Sequence, residues 1–562
     1  RSPSMTGQDE YSFRHILMRD VAYGQIPRAE RAALHEEIAR WIEALAADNE
    51  DVVGILAHHY DSALELRISL GEHRPDLQSQ ALRFTLAAAD RAARLDVRSS
   101  LELYDRAGDL TTDEVQRAGI FAEMARHEAD MGMLEAAHSH FRQAEKIFTR
   151  SGLTARRAEV LATHSRASWI EGDRPSSDEH LRLAMEAING LDDGPEVALV
   201  LRQYANNLFI EGNWEEAAEI GERALAVSRR FSSPSDIGMA LRTLGSALSY
   251  GPDQARGIEM ITEAYRIGKD LGDMSFGYAA NNLHAFLQVM EGPEAAIAVI
   301  EPAVEFLELR GQEASLEFTR SSRVESLLWL GRWDEAESEL TYIIDHDLAR
   351  GGTQIVTMAR NLLMPIHLYR GRYQQAYALV GPTLERAREI RDPQVVLPAL
   401  SAAIPVAARS GHPDEARALI AELESLAGEG SSPTMLATTL LPGIDSIIDL
   451  GRPALERMAA VSERRFALCD RSLDAVLGAI DQAHGRYHDA VERLAGAVAG
   501  FEDLKAPVQA HQCRILEARS LIQLGEVDQA LHLLETAEGF FLPIGGRFFL
   551  DAIEAIRSEV AA

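Results

Sequence analysis

The sequence predicts an all-α solenoid of antiparallel helix pairs, and three observations predict it. Eleven glycines (Gly132, Gly172, Gly212, Gly251, Gly292, Gly331, Gly371, Gly411, Gly451, Gly485 and Gly525) follow one another at intervals of 39 to 41 residues, with one of 34. A second set of helix breakers falls about half a period later, at Gly152, Pro195, Pro234, Gly272, Gly311, Gly351, Pro393 and Pro507, with further breaks at Gly430 to Pro433 and Pro543. Most turn glycines are followed five residues on by an alanine, such as Ala137, Ala217, Ala336, Ala376, Ala490 and Ala530. A fixed period of this size marks a repeat architecture, which grows without a second core and presents an extended binding surface.

Taken in order, residues 1–50 stand outside the period. Phe13 and His15 alternate as on a short strand, and Val21, Leu34, Ile38, Trp41, Ile42 and Leu45 have the spacing of amphipathic helices. From residue 51 the array begins. Each period is two helices of roughly 16 to 18 residues, about 25 Å long at 1.5 Å per residue. Glycine ends the first helix in a left-handed conformation. A large residue two positions on, as at Trp214, Trp333, Tyr373 and Tyr487, covers the corner. Acidic residues open the second helix, where the macrodipole favours them. The alanine lets the two helices approach closely, and a further one at Ala144, Ala224, Ala497 or Ala537 lies two turns along the same face. Gly251 and Gly292 have their alanine one position early, at Ala255 and Ala296, and Gly172 and Gly451 keep little of the pattern. Irregularity is expected there, or a break between sub-arrays near 451.

These spacings resemble the tetratricopeptide repeat, whose usual unit is 34 residues. The resemblance implies a right-handed superhelix, here with ~40-residue repeats. Residues 51–450 form the array, and residues 451–562 continue it after an irregular repeat and end in a capping helix.

Composition bounds the function. The formal net charge of -31 argues against this segment gripping nucleic acid directly. Cys469 and Cys513 are the only cysteines, which fits a reducing cytoplasm. No apolar run reaches the ~18 residues of a membrane span. The longest, Val395 to Ala408, contains Pro398 and Pro405. The chain does not begin with methionine, so a piece cut from a longer protein is expected.

The first fifty residues carry a second resemblance. Phe13-Arg-His15, Arg19-Asp-Val-Ala-Tyr23, Leu34-His35 and Ala57-His-His-Tyr60 resemble the junction in large bacterial STAND or AAA-like signalling ATPases, where a winged-helix piece passes into helical repeats. Residues 1–50 would then be the tail of that winged-helix element. Tyr23-Gly-Gln-Ile-Pro-Arg28 is more like the adenylate or guanylate cyclase-linked group. The large LuxR-type transcription regulators, with an inducer-binding repeat region, share the junction, and a stand-alone scaffold is the third possibility. No phosphate-binding Gly-x-x-x-x-Gly-Lys-Ser/Thr loop occurs, so ATP or ADP with magnesium is implied only for an ATPase upstream. No catalytic grammar and no metal-ligand spacing is present, and this segment is expected to be non-catalytic.

The candidate site residues follow from these two resemblances. His15 is a nucleotide-sensing candidate, since in some STAND ATPases a winged-helix histidine touches the bound phosphate; packing at a domain junction is the plainer alternative. His58 and His59 are adjacent and do not face one way on a helix, which favours packing over metal binding. Counting back from Gly212, Arg202 and Asn206 fall on the inner face of their helix, and Arg242 near the matching position one repeat later. Tetratricopeptide arrays can hold a peptide carboxylate with a cation and an asparagine so placed. Asn281, Asn282 and Asn361 would extend the polar line. The expected partner is a protein, a peptide or a small-molecule inducer.

Overall fold

The computed structural model describes residues 16–46, 49–427, 441, 443–462 and 464–561. Among them are 27 α-helices, one short 3-10 helix and no strand. Helices of 14 to 19 residues alternate down the chain, apart from the ten-residue Ile16–Gln25, and successive ones pack in antiparallel pairs. The chain forms two compact units, one up to His127 and one from Glu128 onward.

In the first unit, helices Ile16–Gln25 and Arg28–Ala46 occupy the region read as amphipathic. Arg28–Ala46 buries its small face, Ala32, Ala39 and Ile42, and leaves Leu34, Ile38, Trp41 and Leu45 exposed. Of its large apolar residues only Ile42 helps to hold this helix down. Its core partners are Leu56, Tyr60 and Leu64 of helix Val53–Ser69 and Phe84 of helix Pro75–Ala93. Tyr60 and Phe84 stack with ring centroids 5.3 Å apart. Phe13 and His15 lie outside the described residues.

In the second unit the turn grammar has its physical counterpart. Nine of the eleven turn glycines have positive φ, for example Gly212 at 84° and Gly525 at 85°. The residue after glycine closes the helix end by donating its N–H five residues back, as Arg332 does to the Leu327 carbonyl at 3.0 Å. Ala137, Ala217, Ala336, Ala376, Ala416, Ala490 and Ala530 are all fully buried. Gly172 is a regular left-handed exit despite its weak pattern, and Asp173 caps the next helix.

The other irregular repeats differ in instructive ways. Ala255 is exposed, and Gly257 takes the position of close approach instead, where a Cβ would collide with the Gly245 carbonyl and Ser249. At Gly292 the carbonyl of Leu504 occupies the space a side chain would need. Gly451 does not end a helix; it bends helix Ile444–Val461 with φ −148°. The hydrophobic core nevertheless runs unbroken past 451, from Ile261 to Ile556. Pro302, Pro365, Pro382, Pro398, Pro405 and Pro453 sit inside helices, where each removes one backbone donor. Tertiary packing outweighs that cost, and Pro405 itself is buried.

The array coils back on itself about every five repeats. Trp169 reaches Asp392, 223 residues on, and Lys505 reaches Glu294, 211 residues back. The first contact joins first helices and the second joins the segments at the ends of second helices, so successive superhelical turns meet at both.

Candidate anion-binding face

A row of polar residues runs across consecutive first helices, drifting towards the helix ends in the earlier repeats. It holds Asp130, Arg166, Arg202, Arg242 and Asn282, at intervals of 36, 36, 40 and 40 residues. Their helices, ending at Asp130 or spanning Thr154–Glu171, Pro195–Ile210, Pro234–Ser249 and Ser275–Met290, follow one another around the coil. Pro195 and Pro234 open their helices at the first turn, where a missing N–H costs nothing.

Arg242 is the centre. Its Nη1 donates to Asn282 Oδ1 at 3.1 Å, and its Nη2 donates to Asn206 Oδ1 and Thr243 Oγ1, each at 3.1 Å. Asn282 in turn donates to Ser246 Oγ at 2.7 Å. The Nε of Arg242 is buried without a partner. Arg202 makes one long bond, to Gln203 Oε1 at 3.3 Å, and borders a cavity of about 120 Å³ that Arg156 and the carboxylates of Glu159, Glu196 and Asp236 also line. Each arginine is only 8% exposed. Neither forms an ion pair with a carboxylate among the described residues, so uncharged acceptors are their only bonded partners.

Electrostatics follow from this geometry. Burial, then the charges of Arg202 and Arg166, push Arg242 down to about 9. Burial also holds Arg202 below the usual guanidinium range; Asp236 eases this and Arg166 worsens it. A buried cation without a counter-charge costs several kcal/mol in effective desolvation. An anion placed here would recover part of that cost, and a guanidinium fork suits a carboxylate or phosphate.

Arg242, Asn206 and Asn282 are therefore brought together as bonded partners, and Arg202 lies close enough to act on Arg242 electrostatically. Asn281 and Asn361 do not join them. Asn281 donates to Gly277 O and Thr319 Oγ1, and Asn361 donates to Val395 O, so both peg one first helix to the next. Three residues of this face were not singled out in the sequence: Asp130, Arg166 and Tyr278. Arg166 was hidden because it lies 36 residues before Arg202, one helical turn off the period, at the position that Asn206 holds in its own repeat. Tyr278 carries no signal, because its place depends on how tightly the array coils.

The histidines pack. His59 Nδ1 shares a hydrogen bond with His35 Nδ1 at 2.8 Å, and His35 Nε2 another with the Tyr23 hydroxyl at 2.8 Å. His138 bonds His164 and Glu171, and His140 bonds Glu128. Among the described residues no group of three His, Cys, Asp or Glu side chains is arranged to hold a metal ion, and no helix is long and apolar enough to cross a membrane.

No family model and no curated protein matches this chain. Among solved structures it is similar to a STAND protein with a tetratricopeptide-repeat sensor from Pyrococcus horikoshii, at 14% identity and a TM-score of 0.34, over 58% of this chain and 52% of that one. It is also similar to a Rap protein complexed with competence and sporulation factor, at 10% identity and a TM-score of 0.44, over 74% of this chain and 99% of that one. A third is the quorum sensor NprR from B. thuringiensis, at 13% identity and a TM-score of 0.37, over 67% and 96% of the two chains. The chain thus spans about half the length of the STAND protein.

Proposed function

We propose that this chain is the sensing and interaction region of a multidomain cytoplasmic signalling ATPase of the cyclase-linked group, and that it binds a protein or peptide through the inner face of its first superhelical turn. The observation that carries this reading is the buried pair Arg202 and Arg242, neither ion-paired with a carboxylate among the described residues, with Arg242 held by Asn206 and Asn282. Burying such a pair costs the fold desolvation energy that a bound anion would partly recover. A peptide's terminal or side-chain carboxylate is the natural occupant. The ATPase connection rests on the junction motif of residues 13–35 and on Ala57-His-His-Tyr60. A ligand would bias such an ATPase by binding its resting and active states unequally.

The test is selection from a peptide library with free C-terminal carboxylates, followed by titration of the selected peptide into wild type and Arg202→Ala. Affinity should fall about tenfold or more in the variant, equivalent to about 1.4 kcal/mol. Equal affinity would remove Arg202 from the binding face.

A further inference from the structure

The inner face is already partly occupied by the protein itself. Arg166 Nη2 donates to Asp130 Oδ1 at 3.0 Å and to the Tyr278 hydroxyl oxygen at 2.6 Å. The Tyr278 hydroxyl donates to the same Asp130 oxygen at 2.9 Å, and the Arg166 guanidinium lies 4.4 Å from the centre of the Tyr278 ring. Tyr278 is 112 residues from Arg166 and 148 from Asp130, so this bridge crosses the inside of the coil. Asp130, at 4% exposure, is the last residue of helix Glu114–Asp130.

The five residues of this row thus include three cations and one anion. Asp130 compensates Arg166, while Arg202 and Arg242 are left with neutral partners. We propose that Asp130 is a built-in occupant of an oxyanion site, and that a ligand's phosphoryl group or paired carboxylates replace it on Arg166 while engaging Arg202 and Arg242. This rests on the binding face proposed above and adds its gate and its charge preference. A doubly charged oxyanion would meet the two guanidinium groups that lack an ion pair, which a single chloride would not. Release of Asp130 would free the end of helix Glu114–Asp130 from helix Ser275–Met290. Ligand binding would thereby open a bridge that the empty site keeps closed.

The experiment uses the full 562-residue chain and two probes, inorganic phosphate and succinate, each titrated by calorimetry against chloride at constant ionic strength. Asp130→Asn should bind the preferred probe about tenfold more tightly than wild type, because the internal competitor is gone. Tyr278→Phe, which keeps the Arg166–Asp130 pair but removes one donor from Asp130, should give a gain of about two- to threefold. Arg242→Met should abolish binding in either background. Stronger binding of phosphate or of succinate identifies which oxyanion the site takes. Equal affinity in wild type, Asp130→Asn and Tyr278→Phe, with loss in Arg242→Met, would overturn the gate and leave the binding face standing. No saturable binding of either probe by wild type or by Asp130→Asn would overturn both.

Discussion

His164 shows how far a single side chain is committed to the fold. Its Nε2 shares a hydrogen bond with His138 Nδ1 at 2.8 Å, and its ring stacks on His180 at 3.9 Å and Phe141 at 4.9 Å. Burial first, then the neighbouring His180 and His138, push it down to about 3. The unfolded chain takes up a proton near the ordinary value of 6.5, whereas the folded chain does not. Stability from this group is therefore complete above that pH and is lost progressively as the pH falls towards 3. The expected loss is roughly 3 kcal/mol by pH 4, read as a falling urea midpoint. His164→Gln should flatten that fall, and an unchanged slope would show that other groups carry it. In sequence His138 and His140 are two residues apart and look unrelated to anything. Their partners, His164, Glu171 and Glu128, sit on other helices and become visible only once the helices are packed.

At the scale of the element, one glycine serves two purposes that can be separated. Gly331 and Gly485 both end a first helix, with φ 76° and 75°. A Cβ on Gly485 would meet nothing within 4 Å, whereas one on Gly331 would lie 3.0 Å from Phe540 and Ile544 side-chain atoms of the next superhelical turn. Gly485→Ala should cost about 1 kcal/mol, the price of a left-handed non-glycine residue. Gly331→Ala should cost about 1 to 3 kcal/mol more, because it also overpacks that contact. Thermal melts of the two variants compare them directly, and equal shifts would mean the turn-to-turn contact at Gly331 is soft. The exits were legible because glycine's conformational freedom is a local property. The contact at Phe540 was not, because it joins residues five repeats apart.

For the second unit as a whole, two kinds of seam join successive turns of the coil. The seam near its start is polar: Asp392, fully buried, accepts from Trp169 Nε1 at 2.8 Å, with Arg174 at 3.7 Å, and Arg386 donates to the Glu171 carbonyl at 3.0 Å. The later seam is apolar, with Trp333 and Tyr369 against Phe541, Phe548 and Phe549. Asp392→Ala leaves the half-buried Trp169 indole N–H without its acceptor and removes the cap on the Gln394 N–H, while Arg174 keeps Asp178 and Glu211; it should cost roughly 2 to 3 kcal/mol. Hydrogen exchange should then rise in 154–171 and 393–409 while 333–369 and 547–556 stay protected. A uniform rise would mean the two seams open as one. The first turn, which carries Arg202 and Arg242, is therefore the part of the coil whose closure depends on a few polar contacts.

By itself the sequence determined the helix pairs, their period, their left-handed exits and the alanines between them. It also singled out Arg202, Asn206, Arg242 and Asn282, of which Arg242 bonds both asparagines. These depend on residues close in the chain, or on a register that repeats, so they can be counted. Only the tertiary structure decided that Gly257 replaces Ala255, that Asn281 and Asn361 are pegs, and that Asp130, Arg166 and Tyr278 bond one another. Those outcomes depend on the small rotation from each repeat to the next, which accumulates around the coil and is written in no single period.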